Sequence, residues 1–374
     1  MSSERWQQVE EIFQTALDLA PDERLRYVTA ACTGDAELRQ EVEALLTQYE
    51  SAGDFLDAPL QERSGLQALA ALMDTDADPM VGRHIGAYRI EREIGRGGMG
   101  AVYLATRADN AFQRRVAIKV IKRGMDTDFI LRRFRHERRI LAALDHQNIA
   151  RLLDGGATET GLPYFVMEYI EGEPLYAYCD ARRLGVRERL RLFCQVCDAV
   201  AYAHQNQVIH RDIKPSNILV TAAAVPKLFD FGISKLLNPE LVSDTAPQTA
   251  TAMRLMTVEY ASPEQVQGLP VTFLSDVYSL GVLLYELLTG HRPYRFRNRM
   301  LHEMARVITE EEPEPPSVVV TRPDNLLPEA GAEFETMTVE RACELRGATP
   351  VVMRRELTGN LDRITMKALR KETV

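Results

Sequence analysis

The chain has 374 residues, of which 45% are hydrophobic and 26% charged, and its formal net charge is −9. This length predicts about two or three domains, and the composition is that of a globular protein rather than a disordered or collagen-like chain. The charge is uneven: residues 1–80 hold 17 acidic and 5 basic side chains, whereas residues 81–374 hold 37 acidic and 40 basic ones. Neither part has the basic surplus of a nucleic-acid-binding protein, so no nucleic-acid partner is expected.

The cysteines and the apolar runs indicate a cytoplasmic protein. Five scattered cysteines, an odd number, argue for a reducing compartment. Cys194 and Cys197 form a C-x-x-C in an apolar-periodic stretch, where two buried helix positions are favoured over a redox or metal site. The N-terminus lacks a signal-peptide pattern, and no apolar run approaches the ~18 residues that a membrane span requires. We therefore predict no membrane segment in this chain.

The first elements in chain order are helical. Within residues 1–50, Val9 and Phe13 belong to an apolar series at helical spacing, and Asp35 can cap a second helix. Residues 51–80 mix a short apolar patch with Gly, Pro and Asp, which predicts a linker. Two interpretations stay open for this region, regulatory docking and an accessory helical bundle without catalytic consequence, and the second is favoured.

From Tyr88 onward the pattern changes to short alternating strands. Strands are predicted at 88–94, 100–106, 115–121 and 164–169, with a helix at 129–144 and mostly helices after the last strand. This order predicts an α+β fold with a small β-rich lobe, about 88–167, and a larger α-helical lobe, about 172–374. Together they would form one domain over residues 81–374.

The sequence Ile-Gly-Arg-Gly-Gly-Met-Gly-Ala-Val at 94–102 is a glycine-rich loop. G-x-G-x-x-G also marks dinucleotide-binding folds, but there the loop leads into a helix, and here it leads into a strand. The pattern favours a β-hairpin folded over phosphates, because glycines leave no side chain between backbone N–H groups and phosphate oxygens. The candidate phosphate-binding positions are Ile94, Gly95, Gly97, Gly98, Gly100 and Val102.

A lysine and a glutamate follow the loop. Lys119 ends the strand-like sequence Val-Ala-Ile-Lys, and Glu137 lies on the next predicted helix. An isolated strand lysine is usually a solvated surface charge. A pairing of Glu137 with an inward-pointing Lys119 would instead hold the ammonium against the α- and β-phosphates of a nucleotide.

The strongest signal is His-Arg-Asp-Ile-Lys-Pro-Ser-Asn at 210–217, with Asp-Phe-Gly thirteen residues after its end. Asp212 can accept the proton of an attacking hydroxyl, and Lys214 can neutralise charge on a transferring phosphoryl group. Asn217 and Asp230 supply an amide oxygen and a carboxylate, a donor set that suits Mg²⁺. Each tripeptide could occur by chance, but the ordered set makes coincidence very improbable.

In this order the motifs resemble the protein kinase superfamily. Gly-Gly-Met-Gly at 97–100 and Tyr-Ala-Ser-Pro-Glu-Gln at 260–265 look most like bacterial, eukaryotic-like serine/threonine kinases. Asp276 and Gly281 match the family's buried motif of the large lobe. The resemblance implies a bilobal protein kinase fold that uses ATP and Mg²⁺, with Mn²⁺ as the alternative metal. It also implies protein substrates phosphorylated on Ser/Thr hydroxyls, and self-association for autophosphorylation.

The resemblance also implies an adenine pocket and regulatory positions. The backbone of Glu168 and Ile170 would bond the adenine edge, with Val102, Ala117 and Leu219 on its faces. Arg211 could bind a phosphate on the loop that precedes the Ser-Pro-Glu. The candidate loop positions are Thr249 and Thr251 for phosphorylation and Thr257 for contacts to Asp212 and Lys214.

One departure supports an alternative hypothesis. In the family an arginine and a further helix follow the segment at 361–371, and the arginine pairs with the residue equivalent to Glu264. The sequence stops at Val374, which suggests a fragment; in relatives the following part often carries a membrane span or repeats. The alternative is therefore a catalytically impaired kinase-fold binding module. The presence of Lys119, Asp212 and Asp230 favours the active enzyme.

Overall fold

The structure is a computed structural model, and the chain divides into two compact units, Met1–Ala77 and Asp78–Val374. The described residues are 27–29, 31–32, 38–39, 42, 80–97, 100–108, 115–121, 141–231, 258–296, 300–322 and 338–371. Within these ranges, no helix is both long and apolar enough to cross a membrane.

Among the described residues of the first unit, four side chains are buried, and their spacing is helical. Val28 and Cys32 are four residues apart, as are Leu38 and Val42. The N–H of Cys32 donates to the carbonyl of Val28 at 3.0 Å, which is a helical bond. The predicted capping by Asp35 and the predicted linker lie outside the described residues.

The second unit begins with a six-stranded antiparallel sheet, ordered β1-β2-β3-β4-β6-β5. The strands are β1 (His84–Ile85), β2 (Tyr88–Gly97), β3 (Gly100–Arg107), β4 (Arg115–Ile121), β5 (Leu152–Ala157) and β6 (Pro163–Glu168). Residues on β4 alternate between the two faces of the sheet. Val116, Ile118 and Val120 belong to a core on the outer face. Ala117 and Lys119 consequently face the opposite side, toward the rest of the unit.

A small three-stranded sheet and a set of helices follow. The strands are β7 (Gly172–Pro174), β8 (Ile218–Thr221) and β9 (Pro226–Leu228). The helices are α1 (Leu175–Ala181), α2 (Val186–Gln205), α3 (Pro263–Gln267), α4 (Phe273–Thr289), α5 (Leu301–Glu310), α6 (Pro316–Val319), α7 (Val339–Glu344), α8 (Pro350–Leu357) and α9 (Asn360–Ala368). Two 3-10 turns lie at Pro215–Asn217 and Val258–Tyr260.

Helix α4 is the centre of the helical lobe. It is buried along most of its length, including Leu283 and Leu287, which are fully buried. Thr272 caps its first turn and Gly290, at φ +77°, ends it. Gly281 permits the close packing of α9, because a Cβ there would lie 2.9 Å from the Cβ of Ala368. The resulting α+β bilobal arrangement is the one predicted.

The structure corrects several local predictions. The strand predicted at 88–94 continues to Gly97, and the strand at 164–169 runs instead from Pro163 to Glu168. Strand β5 was not predicted. The two helix positions of the C-x-x-C are on α2, but Cys194 is exposed and Cys197 only half-buried. The prediction that both are buried was wrong, because the helix turns Cys194 to its solvent face. Most of the helix predicted at 129–144 lies outside the described residues.

Candidate active site

The glycine-rich sequence lies where β2 and β3 pair as a β-hairpin. Gly95 pairs with Val102 and Gly97 with Gly100, so the loop leads from β2 into β3. At Gly100 a Cβ would lie only 2.0 Å from the carbonyl oxygen of Val120, so no other residue fits without moving the backbone. Gly98 lies outside the described residues, and Ile94 is half-buried on β2. The glycine-rich loop is thus followed by a strand that pairs with the one before it, as the sequence predicted.

Lys119 reaches from the sheet to the helical lobe. It lies opposite Val102 on β3 and Phe165 on β6, and it is 8% exposed. Its ammonium forms an ion pair with the carboxylate of Asp230. The two side chains, 111 positions apart in the chain, therefore meet in the cleft between the lobes. Glu137, the predicted partner of Lys119, lies outside the described residues.

Three side chains of the 210–217 segment form one cluster. The ammonium of Lys214 lies 2.9 Å from Oδ2 of Asp212. The amide nitrogen of Asn217 donates to the carbonyl oxygen of Asp212 at 2.8 Å and to its Oδ2 at 3.1 Å. Because the Asn217 nitrogen is used in this way, its Oδ1 is the amide atom left for a cation.

The catalytic-loop cluster and Asp230 are joined through the backbone. The N–H of Phe229, the residue before Asp230, donates to the carbonyl of Asn217 at 3.0 Å. Asp230 itself has a φ of +61°, an unusual conformation for a residue with a side chain. One amide oxygen and one carboxylate, held on neighbouring segments, form a hard-oxygen donor set that fits Mg²⁺.

Asp276 on α4 holds the backbone of the catalytic loop. Its Oδ2 accepts the N–H of His210 at 2.7 Å, and its Oδ1 accepts the N–H of Arg211 at 2.8 Å. Nε2 of His204, at the end of α2, lies 2.7 Å from the same Oδ2. Arg211 adopts φ +67°, and the two backbone bonds to a carboxylate that is 1% exposed stabilise this strained turn.

His210 connects the catalytic loop to the Asp-Phe-Gly segment in its neutral form. Its Nδ1 accepts the N–H of Asp212 at 3.3 Å, so the proton is on Nε2, which donates to the carbonyl of Phe229 at 3.2 Å. Burial lowers the pKa of His210, which favours this neutral state. Its ring also packs against Phe231, with 4.5 Å between the ring centroids.

Replacing Asp276 with asparagine should destabilise the protein by about 3 kcal/mol. An asparagine has one oxygen for three donors, so in either orientation its amide N–H₂ faces a donor that it cannot bond. Urea unfolding would measure the free-energy change. Asp198→Asn, an exposed position on α2, is the control and should change stability by less than about 0.5 kcal/mol. Equal effects of the two substitutions would contradict the anchoring role.

The predicted adenine-pocket residues lie around the junction of the lobes. Ala117 pairs with Met167 across β4 and β6, and Leu219 lies on β8. The N–H of Glu168 already donates to the carbonyl of Arg151 at 2.9 Å. Any bond from Glu168 to an adenine edge must therefore use its carbonyl oxygen. Ile170 is half-buried just beyond β6.

Two of the contacts that shape the site had no sequence signal. The Glu168 carboxylate lies 3.1 Å from the ammonium of Lys227 on β9, which ties the junction between the lobes to the helical lobe. His204 contacts Asp276 although nothing in its helix distinguishes it.

The predicted regulatory positions Thr249, Thr251 and Thr257 lie outside the described residues. Glu264, after that loop, is 7% exposed and accepts a hydrogen bond from the hydroxyl of Ser275. No cation pairs with Glu264 within the part of the chain that the structure describes. The Ser275 bond is one that the sequence did not predict.

The fold and the site together indicate the class of protein to which the chain belongs. A profile for the protein kinase domain matches residues 88–345, which is more than half of the chain. The chain therefore belongs to the protein kinase family. The Pro350–Leu357 and Asn360–Ala368 helices lie beyond the matched region.

The similar curated proteins are bacterial serine/threonine kinases. PrkC of Bacillus subtilis is 44% identical over 219 residues, 58% of this chain and 32% of PrkC. PknA of Mycobacterium tuberculosis is 40% identical over 237 residues, 62% of this chain and 52% of PknA. Pkn1 of Myxococcus xanthus is 37% identical over 247 residues, 65% of this chain and 34% of Pkn1. The matched part thus spans at most about half the length of these relatives.

Among solved structures, the PknI kinase domain of Mycobacterium tuberculosis in its C20A mutant matches with a TM-score of 0.46 and 27% sequence identity. The match covers 63% of this chain and 82% of that one.

Proposed function

We propose that this protein transfers the γ-phosphate of ATP to serine and threonine hydroxyls of protein substrates. The observation that carries the proposal is the cluster of Asp212, Lys214 and Asn217, joined through the backbone to Asp230. The similarity to bacterial serine/threonine kinases supports the same activity.

Different side chains would perform different parts of phosphoryl transfer. The Asp212 carboxylate is placed to accept the proton of an incoming hydroxyl, and the adjacent Lys214 ammonium offsets negative charge at the same point. Lys119 presents its ammonium in the cleft, where it would hold nucleotide phosphates beneath the glycine hairpin. Lys119 on the sheet would thus contribute to nucleotide binding, and Asp212 in the helical lobe would accept the proton.

We propose Mg²⁺ as the physiological metal, held by Oδ1 of Asn217 and the carboxylate of Asp230. Hard oxygen donors of this kind, completed by phosphate oxygens, match its preferences. When bound, the metal supplies charge neutralisation on the phosphates. Mn²⁺ accepts the same donors and is the alternative.

Incubation of the purified chain with ATP and a general protein substrate tests the activity. We expect ATP consumption that requires Mg²⁺ or Mn²⁺, with phosphoserine and phosphothreonine as the products seen by mass spectrometry. Lys214 two positions after Asp212 supports this residue specificity. Predominant phosphotyrosine would refute it. Nucleotide binding without turnover would favour a catalytically impaired binding module instead.

We further propose that residues 81–374 form the catalytic domain, preceded by a helical segment at 1–50 and a linker at 51–80. The division of the chain between Ala77 and Asp78 supports a boundary in this region. The role of the acidic segment at 1–80 in this scheme is accessory.

Activation by phosphorylation of the loop before Ser262 completes the proposal. Arg211 immediately precedes Asp212, and its backbone is fixed by Asp276, so a phosphate bound by this arginine would order the adjacent loop. Thr249 and Thr251 are the proposed acceptors, in a self-association step in which one copy phosphorylates another.

A Thr249→Ala/Thr251→Ala variant should show lower activity on an external substrate, by about tenfold, since the two or three charge-assisted bonds of a phosphate would be lost. The rate after preincubation with Mg²⁺ and ATP is the measurement. Ser243→Ala/Thr245→Ala, in the same loop, is the matched control and should behave as the unmodified protein. A double variant at 249 and 251 with full activity after preincubation would exclude these sites as the switch.

A further inference from the structure

Helix α8 lies beyond the region that matches the family, yet it is firmly attached to the helical lobe. Met353 and Leu357 on α8 are fully buried. Shortly before α8, the guanidinium of Arg346 donates to the carbonyls of Leu288 at 2.6 Å and Leu287 at 3.1 Å, at the end of α4. Arg346 is 3% exposed, so these bonds fix the segment that leads into α8.

The outer side of α8 forms an open groove with a volume of about 460 Å³. Six residues from α8, its flanks and the turn after α6 line it: Thr321, Pro350, Val351, Arg354, Arg355 and Thr358. The groove combines an apolar end with two guanidinium groups. Val351 is 79% exposed, a large exposure for an apolar side chain on an otherwise well-packed helix.

The charged groups that line the groove are all cationic. Arg354 and Arg355 form no ion pair within the residues described by the structure, and no carboxylate lines the groove. The hydroxyl of Thr321 donates to the Val318 carbonyl at 2.8 Å, and that of Thr358 donates to the Arg354 carbonyl at 2.6 Å. The hydroxyl protons are therefore used, and the guanidinium groups are the donors that remain for a ligand.

The helix after the groove adds to the positive charge. Arg363 and Arg370 on and just after α9 are exposed. The α9 carboxylate of Asp362 accepts bonds from the N–H and hydroxyl of Ser317, at 2.9 and 2.7 Å, and so faces α6 rather than these arginines. Glu356, which follows Arg355 on α8, is exposed but does not line the groove. The guanidinium groups at the groove therefore attract an anionic partner.

We propose that this groove binds an acidic segment of a protein partner. Carboxylates of the segment would pair with Arg354 and Arg355, and an apolar side chain would cover Pro350 and Val351. The groove is lined from two segments, α8 with its flanks and the turn after α6, which suits an extended peptide lying between them. The groove would hold a partner at a position separate from the phosphoryl-transfer site.

Fluorescence anisotropy with a labelled peptide of alternating glutamate and leucine tests the proposal, using the whole chain without nucleotide. We expect the peptide to bind and a peptide with glutamine in place of glutamate to bind at least about tenfold more weakly. Because the assay does not depend on ATP, its outcome is independent of the proposed kinase activity.

Matched pairs of substitutions distinguish peptide binding at the groove from a general effect of the protein's net charge. Arg354→Glu/Arg355→Glu should weaken binding by at least about tenfold, and Arg354→Gln/Arg355→Gln should do so to a smaller extent. Arg187→Glu/Arg191→Glu makes the same change in net charge on exposed positions of α2 and should leave affinity within about twofold. Equal losses of affinity in both glutamate pairs, or no loss in the groove pair, would overturn the proposal.

Binding of phosphatidylserine vesicles through the same arginines, without competition by the peptide, would assign the surface to a membrane instead.

Discussion

Replacing Lys119 with methionine is expected to reduce phosphoryl transfer by at least about a hundredfold while the protein stays folded. Methionine retains most of the length and apolar volume of the lysine stem, but it has no charge. The lost group is the ammonium that now pairs with Asp230 in the cleft and would hold nucleotide phosphates during transfer. The initial rate with saturating ATP and a general protein substrate is the measurement.

Two further variants test whether the loss of activity is specific to the ammonium of Lys119. Arg191→Met removes a cation from an exposed position on α2 and should retain the activity of the unmodified protein. Lys119→Arg keeps the charge but replaces a compact ammonium with a planar fork, so it should also lose most activity at this 8%-exposed position. Thermal melting should show all three proteins folded. Unchanged turnover in the methionine variant would remove Lys119 from the site.

The sequence predicted the glycine hairpin and the strand of Lys119 because alternation and turn residues are local signals. The Arg115–Ile121 strand was predicted with its observed bounds. Strand β5, Leu-Leu-Asp-Gly-Gly-Ala, has no alternation and two glycines, so only its pairing with β6 makes it a strand. Similarly, the exposure of Cys194 depends on which side of α2 packs against the core, and periodicity alone did not give that side correctly.

The catalytic side chains of the candidate site were easier to predict from the sequence than the residues that hold them in place. The motifs named Lys119, Asp212 and Asp230, but their spacing along the chain contains no information about distance. The ion pair between Lys119 and Asp230 depends on the packing of a sheet against a helical lobe. The contact of His204 with Asp276 and the pair of Lys227 with Glu168 join residues whose types are common on any protein surface. Such partners are visible only in three dimensions.

Asp212 and Asp230 are expected to have different roles, and replacing each separately with asparagine tests this. One variant should lose mainly turnover and the other mainly nucleotide affinity. Asp212→Asn removes the group placed to accept the hydroxyl proton, and we expect turnover to fall by about 10²–10⁴-fold. Its affinity for ATP with Mg²⁺ should change by less than about threefold, since Asp212 pairs with Lys214 rather than with the phosphate-binding hairpin. Rapid-quench rates and calorimetric binding measure the two quantities.

Asp230→Asn should instead weaken the binding of ATP with Mg²⁺ by at least about tenfold, because a charged metal ligand becomes a neutral one. Repeating the titration in EDTA isolates the metal. Without Mg²⁺ the variant should bind ATP at least as tightly as the unmodified protein, because the carboxylate no longer repels the phosphates or competes for Lys119. A loss of affinity that persists in EDTA would mean that Asp230 acts on the nucleotide through the fold and not through a metal. Equal losses of nucleotide affinity in both asparagine variants would contradict the division of roles between the two carboxylates.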